Sequence, residues 1–175
     1  MKIPTLRGRG FILRPIRKND EKDLIRYLDN KKISRYMTRI PYPYTSSDAK
    51  KWTAETTKEQ GKKNPKTIVF AIEKNGELVG TVGLFEIKIN HRAALAYWLA
   101  EPFWKQGIMT DAIHLILRYA RREFYIKRFI ARTFLFNTGS QSVLLKNGFQ
   151  KEGLLRKDIR KNGKFYDAYL FAKVK

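Results

Sequence analysis

The spacing of apolar residues predicts four helices along the chain. Between residues 108 and 124 apolar side chains recur at intervals of three and four, which is the pattern of an amphipathic helix. Another helix is predicted to begin at residues 19–21, where a capping side chain and acidic residues precede apolar positions on one face. Two more are expected, one from Ser46 or Ser47 to near Gly61 and a short one over residues 139–146.

The other apolar stretches predict strands. Two of the connections between them are asparagine–glycine pairs, at residues 75–76 and 162–163, which are strong signals for tight hairpin turns. The strands are predicted over residues 11–16, 67–73, 77–89, 93–99, 128–133, 149–160 and 164–173. Hairpins at both ends with a strand–helix–strand unit between them indicate a mixed sheet of the α/β (α+β) class. Because no repeat or linker interrupts this pattern, residues 1–175 are predicted to form a single domain.

Composition excludes several classes of protein. Apolar residues make up 43% of the chain, which excludes a disordered polar chain. No run approaches about eighteen consecutive apolar residues, and the first residues lack the apolar core of a secretion signal, so we expect no association with a membrane. Cysteine is absent, which removes disulfides, a thiol nucleophile and thiolate metal sites, and favours a reducing, cytoplasmic setting.

The charge of the chain is strongly positive. Lysine and arginine number 37 against 16 acidic residues, so the formal net charge is +21. Such an excess favours anionic partners, among them nucleic acid, a ribosome, an acidic protein or a polyphosphate cofactor. A solubilising surface explains the same composition, because the basic residues are scattered along the chain rather than gathered in one block.

One connection combines several features of an anion site. The strand predicted to end at Leu99 is followed by the loop 104–107 and then directly by the helix predicted from residue 108. The free N–H groups and the positive dipole end of that helix point into the loop. A glycine in the loop lets a phosphate approach the backbone, and a neighbouring lysine adds positive charge. The spacing is also compatible with an ordinary strand-to-helix turn.

A segment near the C-terminus carries the most specific motif. Residues 137–149 read N-T-G-S-Q-S-V-L-L-K-N-G-F and resemble the signature N-x-x-S-x-x-x-x-x-K-x-G-F of GNAT acetyltransferases, in particular the RimJ/RimL group of ribosomal-protein N-terminal acetyltransferases. Five further segments resemble the same family, in the same order along the chain: 6–15, 79–84, 96–99, 149–153 and 163–167. Each segment alone is weakly specific, but five segments in the family's order over nearly the full length of the chain make a strong resemblance.

The resemblance implies both a fold and a cofactor. The implied fold is a mixed, mostly antiparallel sheet of six to seven strands, splayed at its centre and flanked by helices, with acetyl-CoA in the V-shaped gap. In the stretch that matches the family's pyrophosphate loop, Lys105 replaces a glycine and Met109 stands where a small residue is common. Lys105 either adds a contact to the phosphates or makes the loop too tight for the cofactor. Binding is favoured, because main-chain N–H groups make most of the contacts to phosphates and do not depend on side-chain identity. The residues implied in cofactor binding are Trp98, Leu99, Trp104, Lys105, Gln106, Gly107, Ile108, Met109, Thr110, Asn137, Ser140 and Lys146.

The resemblance also implies roles at the reacting centre. Asn137 matches a residue that hydrogen-bonds the pantetheine arm or positions a water beside it, and it also suits a helix N-cap. Ser140 matches a serine near the cofactor sulfur that helps to protonate the departing thiolate, with capping of the first turn as the alternative. A main-chain N–H at Leu99 or Trp98 is expected to stabilise the carbonyl oxygen as an oxyanion hole does. Direct attack by the amine is expected, because the chain has no cysteine and no serine–histidine–acid pattern.

A general base is not evident in the sequence. Many relatives have a glutamate in the strand position where this chain has Ala94. Glu86, on the preceding strand, is the candidate catalytic substitute and would act through a water; a solvent-facing strand residue is the alternative. Asp158 and Asp167 are further candidates. Neither histidine has a second imidazole spaced to share a metal, so no metal site is predicted.

The missing glutamate bears on the choice of acceptor. An α-amine with a pKa of about 7.7–8.0 is neutral in roughly a tenth of molecules at pH 7, whereas a lysine amine with a pKa of about 10.4 is neutral in about 0.04%. The preferred acceptor is therefore a protein N-terminus, and the positive charge suits one on a ribosome. Tyr36, Tyr42 and Tyr44 are candidates to line an acceptor groove, with packing as the alternative.

Other functions remain open at this point. One is acetylation of a small amine, such as an antibiotic or an amino sugar. Another is a degenerate domain that binds a ribosome or nucleic acid without catalysis. The sequence also leaves the choice between a monomer and a homodimer open.

Overall fold

The computed structural model describes residues 3–174, which form a mixed sheet of eight strands flanked by helices. The strands are β1 (Leu6–Arg7), β2 (Ile12–Pro15), β3 (Ile68–Lys74), β4 (Glu77–Lys88), β5 (Arg92–Leu99), β6 (Arg128–Phe134), β7 (Gln150–Lys161) and β8 (Lys164–Val174). The helices are α1 (Glu21–Leu28), α2 (Lys31–Ser34), α3 (Ser46–Gln60), α4 (Ile108–Phe124) and α5 (Thr138–Lys146). Across the sheet the order is β1-β2-β3-β4-β5-β6-β8-β7.

Both predicted hairpins are present. Asn75 and Gly76 have φ angles of 53° and 81°, and Asn162 and Gly163 have φ angles of 48° and 75°. A type I′ turn needs positive φ at both central residues, and asparagine followed by glycine tolerates this best. The turns join the antiparallel pairs β3–β4 and β7–β8.

The sheet opens between its two central strands. Among the described strands, β5 and β6 form the one parallel pair, and their pairing covers Arg92–Ala94 against Arg128–Ile130. β5 continues to Leu99 and β6 to Phe134, so the second halves of these strands diverge. The predicted mixed, mostly antiparallel sheet splayed at its centre is confirmed.

The sheet has eight strands, rather than the six to seven expected, because the chain folds back before Phe11. Gly8 donates its N–H to the carbonyl of Phe11 at 3.0 Å, and Gly10 adopts a φ of 73°. This turn places Leu6 opposite Leu13 and adds the edge strand β1. A two-residue strand leaves no alternating pattern, so the sequence did not predict it.

Helices cover both faces of the sheet. α4 and α5 pack on one face, in a core that includes Phe70 and Ile116. α1, α2 and α3 pack on the other, around Leu24 and Trp98. Because β3 is covered on both faces, its first five residues are all buried and read as a continuous apolar run. No helix within residues 3–174 is long and apolar enough to span a bilayer.

The start of α1 differs from the predicted cap. Asp20 precedes the helix, but its side chain forms no capping hydrogen bond to it. The carboxylate instead accepts from the guanidinium of Arg14 at 2.9 and 2.6 Å and from the main-chain N–H of Arg17 at 2.8 Å. Arg14 and Asp20 are both buried. A buried ion pair therefore fixes the path from β2 into α1.

Candidate active site

A cavity of about 550 Å³ occupies the gap where β5 and β6 diverge. Its walls come from residues 95–99 of β5 and 131–134 of β6. Because side chains alternate along a strand, these walls extend to both faces of the sheet. We call one end the α4 side and the other the α2 side. The α4 side is lined by Trp104, Lys105, Gly107, Ile108, Met109, Thr110, Asn137, Gly139, Ser140, Ser142, Val143 and Lys146, so that Gln106 alone of the loop 104–107 does not line the cavity. The α2 side is lined by Ile33, Tyr36, Met37 and Thr38 with Arg132, Phe134 and Ile159.

The start of α4 exposes main-chain donors on the α4 side. Gly107 immediately precedes the helix and has a φ of 78°. A Cβ atom built on Gly107 would meet nothing within 4 Å, so the space above this backbone is open. The first N–H groups of a helix have no partner inside it and carry its positive dipole end. Open space beside free main-chain donors is compatible with the predicted anion site, which stays a prediction.

The other side chains of the loop leave this space free. Lys105 has a φ of 61° and an exposed side chain. Gln106 folds back and donates from Nε2 to the carbonyl of Pro102 at 2.9 Å. Trp104 donates from Nε1 to the carbonyl of Leu99 at 2.7 Å, which ties the loop to the end of β5.

Met109 is accommodated in the core rather than in the loop. Its side chain and that of Ile108 are buried beneath α4, and both also contact the wall of the cavity. Thr110 lines the cavity as well, and its carbonyl accepts from Nδ2 of Asn147 at 3.2 Å, which links α4 to the end of α5. The larger residue at position 109 therefore leaves the site open.

Beyond Ala94, the edge of β5 that faces the gap pairs with no described strand, although the carbonyl of Leu99 accepts from Trp104. Ala100 donates its N–H to the carbonyl of Val79 at 2.8 Å. Since successive residues of a strand direct their main-chain groups to opposite edges, Trp98 directs its N–H to β4, whereas Tyr97 and Leu99 direct theirs into the gap. Of the two predicted backbone donors, Leu99 has the required orientation. Trp98 contributes its side chain to the core of α1–α3 and to the cavity wall.

Asn137 has the predicted capping role at α5. Its side-chain oxygen accepts from the N–H of Ser140 at 3.1 Å. Gln141 supports the same turn by donating from Nε2 to the carbonyl of Leu135 at 2.9 Å. Asn137 also lines the cavity, and the exposed Lys146, about two and a half turns further along α5, lines it too.

Tyr97 and Ser140 form a pair of hydroxyl groups beside the gap. Their oxygens are 2.7 Å apart, and both residues line the cavity. Burial raises the pKa of Tyr97 above its usual value, although the hydrogen bond with Ser140 acts in the opposite direction. The pair therefore keeps its protons at neutral pH. Tyr97 is not among the site residues predicted from the sequence, although alternation along β5 places its side chain on the same face as Leu95 and Leu99.

The candidate bases do not line the cavity. Glu86 is exposed at an irregularity in the β4–β5 pairing, where its φ is 50°. Asp158 lies 3.5 Å from the guanidinium of Arg132, and the carboxylate of Asp167 accepts the N–H of Lys157 at 2.8 Å. Within the described part of the chain, no aspartate, glutamate or histidine lines the cavity, and no three such residues are grouped as metal ligands.

The three predicted groove tyrosines have different environments. Tyr36 lines the cavity on the α2 side. Tyr42 is exposed and its ring lies 5.2 Å from the ammonium of Lys31, whereas Tyr44 is buried in the core of α1–α3. Burial raises the pKa of Tyr44 to about 12. Packing is therefore the role of Tyr44.

Contacts between distant segments shape the α2 side. α2 is a one-turn helix that the sequence did not predict; its cap is the side chain of Asn30, which accepts from the N–H of Lys32 at 2.8 Å. The ammonium of Lys161, on β7, donates to the carbonyl of Met37 at 2.8 Å. The ring of Tyr36 lies 6.0 Å from that of Phe136, just after β6. The segment after α2 is thus held against β6 and β7.

Comparisons with known proteins agree with this architecture. The family described as the acetyltransferase (GNAT) domain matches residues 11–150. Probable N-acetyltransferase YjcK of Bacillus subtilis (strain 168) is 31% identical over 95% of this chain and 95% of its own length. Ribosomal-protein-serine acetyltransferase of Escherichia coli (strain K12) is 31% identical over 61% of this chain and 60% of its own. The solved structure of microcin C7 self immunity acetyltransferase MccE in complex with acetyl-CoA and AMP has a TM-score of 0.87 and 25% identity, covering 96% of this chain and 94% of MccE.

The α4 side fits the cofactor that this family uses. The open space at Gly107 and the N–H groups at the start of α4 suit a diphosphate, and Lys105 and Lys146 add positive charge at the rim. The unpaired edge of β5 suits the amides of an extended pantetheine arm, as an added strand would. The chain belongs to the GNAT family of acetyltransferases and is an acetyl-CoA-dependent N-acetyltransferase.

Proposed function

We propose that this enzyme acetylates the α-amine of a protein N-terminus. The observation that carries the proposal is the lining of the cavity, which in the described residues contains no carboxylate and no imidazole. An acceptor in such a site must arrive neutral or lose its proton to water. At pH 7 the neutral fraction of an α-amine exceeds that of a lysine amine by roughly two hundredfold. The site therefore favours α-amines over lysine side chains.

Binding of the cofactor is assigned to the α4 side. The N–H groups of residues 108–110, with Lys105 and Lys146, would hold the phosphates, and Asn137, which also lines the cavity, has a side-chain amide that could donate to the cofactor. When bound, acetyl-CoA supplies the acetyl group as a thioester, whose carbonyl carbon the amine attacks as the carbon–sulfur bond breaks.

The chain's own groups act around the gap. The N–H of Leu99 is oriented to donate to a carbonyl oxygen there, and a preorganised donor of this kind contributes on the order of 3 kcal/mol. The Tyr97–Ser140 pair holds its protons beside the gap, and one of them is available to the leaving sulfur. We assign Ser140 as the donor and Tyr97 as the residue that positions it. The proton of the amine passes to solvent, and solvent returns a proton to the hydroxyl pair after the thiol has formed.

The α2 side supplies the route for the acceptor. It combines apolar and aromatic residues, among them Tyr36, Met37 and Phe134, with the cation Arg132. These are suited to an uncharged amine followed by a short stretch of extended chain. The Escherichia coli relative is named a ribosomal-protein-serine acetyltransferase, which supports a protein acceptor and a ribosomal one in particular.

A pair of peptides tests this proposal. One has a free N-terminus and no lysine; the other has the same sequence, a formylated N-terminus and one lysine. Release of CoA thiol and product mass are measured at pH 7, with reactions that lack the enzyme as the control for background transfer. We expect the first peptide to react at least about a hundredfold faster. Equal rates, or faster reaction of the lysine peptide, would contradict the proposal.

A small amine linked to a nucleotide is the second candidate acceptor. It is favoured by one observation, that MccE was solved with AMP as well as acetyl-CoA. AMP should then compete with the peptide acceptor and raise its KM. If AMP at millimolar concentration leaves the peptide KM unchanged, the nucleotide candidate fails.

We also propose the wider setting of the enzyme. The absence of cysteine and the unbroken pattern of elements support one domain over residues 1–175 that acts in the cytoplasm. The charge of +21 supports association with a ribosome. Either a monomer or a homodimer is compatible with the site, because every assigned residue comes from one chain.

A further inference from the structure

A second recess, of about 650 Å³, lies away from the active site and shares no lining residue with it. It lies between the β1 edge of the sheet and the C-terminal half of α4. Half of its lining residues are arginines and none is acidic: Thr5, Leu6, Arg7, Leu115, Arg118, Tyr119, Arg121 and Arg122. We call it the arginine groove. Guanidinium groups over an apolar floor are suited to binding phosphates.

Most of these arginines lack an ionic partner. Within the described residues, Arg7 and Arg118 are exposed and neither forms an ion pair. The guanidinium of Arg121 lies 5.6 Å from the ring centroid of Phe129, and its Nε is buried without a hydrogen-bond partner. Arg122 is the exception, since its Nε lies 2.7 Å from the carboxylate of Glu123. The groove therefore holds positive charge that the chain itself leaves uncompensated.

Stabilisation of the helix end explains part of this arrangement. Cations in the last turn of a helix interact favourably with its negative dipole end, and Arg121 and Arg122 occupy that turn. Arg7 belongs to β1 and has no such role, and Arg118 precedes the last turn. Stabilising the end of α4 also does not require a recess whose floor contains Leu6 and Leu115.

The spacing of the arginines suits a chain of phosphates. Arg118, Arg121 and Arg122 are three and four positions apart on α4, which places their Cβ atoms about 5–6 Å apart on one face. Arg7 faces them from β1, and Thr5 and Tyr119 line the same recess. A phosphate backbone lying in the groove would therefore meet donors from both walls.

A membrane surface fits the groove less well. Binding to a bilayer is strengthened by apolar side chains that enter it. The large exposed apolar side chains in the described part of the chain are Tyr42, Ile89, Tyr125, Leu135, Phe136, Leu145, Leu154, Phe165 and Val174. None of these lines the groove. We propose that the arginine groove binds the sugar–phosphate backbone of a nucleic acid.

Two double variants with the same charge test this proposal. R7Q/R118Q removes two partner-free arginines from the groove, whereas K50Q/K58Q removes two exposed lysines of α3 that lie outside it. Each lowers the formal net charge of +21 by two. Binding of a short fluorescein-labelled RNA duplex is followed by anisotropy between about 50 and 200 mM salt. A DNA duplex of equal length serves as a second probe.

The groove predicts a specific result. Three phosphate contacts give a slope of log K against log salt of about −2 to −3, and R7Q/R118Q should make it shallower by about 1.5 and weaken binding roughly tenfold. K50Q/K58Q should stay within about twofold of the unchanged protein. Acetyl transfer to a short peptide should be the same in all three proteins, so this test is independent of the proposed acceptor.

Three results would overturn the proposal. Equal weakening by both double variants would show that diffuse charge, not the groove, binds the duplex. No weakening by either would place binding elsewhere. Binding to anionic lipid vesicles that excess RNA fails to displace would assign the groove to a membrane.

Discussion

On the α4 side of the cavity, the groups that face the gap come from two short continuous stretches, whereas on the α2 side they come from segments far apart in the chain. The α4 side uses the start of α4 and the start of α5, with main-chain N–H groups, a glycine and an asparagine cap. The α2 side brings Tyr36, Arg132 and Ile159 together by tertiary contacts. The residues on the α4 side can thus be recognised from short stretches of sequence, whereas those on the α2 side are brought together only by tertiary contacts.

Replacing Gly107 should give the largest effect. A valine there is strained at a φ of 78°, and its side chain would project into the open space where phosphates are expected. Loss of even one or two charged hydrogen bonds costs about 2–4 kcal/mol, so the Kd for acetyl-CoA, measured by isothermal titration calorimetry, should rise at least thirtyfold. Gly163→Val is the matched control, because Gly163 has a φ of 75° and equally open space but lies in the β7–β8 turn. Equal losses of affinity in both variants would remove Gly107 from the cofactor site.

Changes at the hydroxyl pair should lower turnover next most strongly. Ser140→Ala and Tyr97→Phe should each reduce kcat about tenfold to a hundredfold, while the KM for acetyl-CoA changes little, because the pair acts on the leaving group. The double variant should be little worse than Ser140→Ala, since Tyr97 acts through Ser140. Ser142→Ala is the control, because Ser142 also lines the cavity but has no side-chain hydrogen bond among the described residues. Fully additive losses would show that the two hydroxyls act separately.

Changes on the α2 side should affect the acceptor alone. Arg132→Gln and Tyr36→Ala should each raise the peptide KM by about threefold to tenfold, because each contact is half-exposed and worth roughly 1 kcal/mol. The Kd for acetyl-CoA, measured by titration, should stay within twofold. A loss of cofactor affinity as large as that of peptide affinity would mean that the two sides are not separate.

The smallest effect is expected at Asn137. Its side chain caps α5, so Asn137→Ala should lower the free energy of unfolding by about 1 kcal/mol, whereas Asn137→Ser keeps a capping oxygen and should lose a few tenths at most. Both variants lack the side-chain amide and should weaken acetyl-CoA binding to a similar, modest extent. Urea unfolding and titration calorimetry separate the two roles. If Asn137→Ser retains both the stability and the acetyl-CoA affinity of the unchanged protein, Asn137 acts only as a cap.

The elements that the sequence predicted are those specified by local signals. α4 runs over the predicted residues 108–124 because its apolar spacing, its preceding glycine and its length all agree. The Asn137 cap and the two asparagine–glycine turns follow from the same local chemistry. Short elements escaped prediction: β1 and α2 have two and four residues and show no periodicity.

The site was predicted less completely because its chemistry depends on register. The contact between Tyr97 and Ser140 joins residues 43 positions apart, and it exists because β5 and α5 meet at the gap. Glu86 was a reasonable base from its strand position, but the irregular pairing near it leaves its side chain exposed and outside the cavity. Tyr44 was grouped with Tyr36 by composition, yet it packs in the core. Sequence alone does not reveal which face a loop residue occupies.

We infer that the enzyme supplies no general base, so that the neutral fraction of the acceptor is set by the pKa of its own amine. The pH dependence of kcat/KM for two acceptors tests this inference. The acceptors are the free N-terminal peptide and the lysine peptide described above. Burial raises the pKa of Tyr97 above its usual value of about 10, so this hydroxyl stays protonated throughout the range and adds no inflection.

We predict that kcat/KM for the N-terminal peptide rises tenfold per pH unit and levels near pH 8, and that for the lysine peptide it continues to rise beyond pH 9. An inflection between pH 5 and 7 that appears at the same position with both peptides would reveal an ionising group of the enzyme acting as base, and would contradict the account.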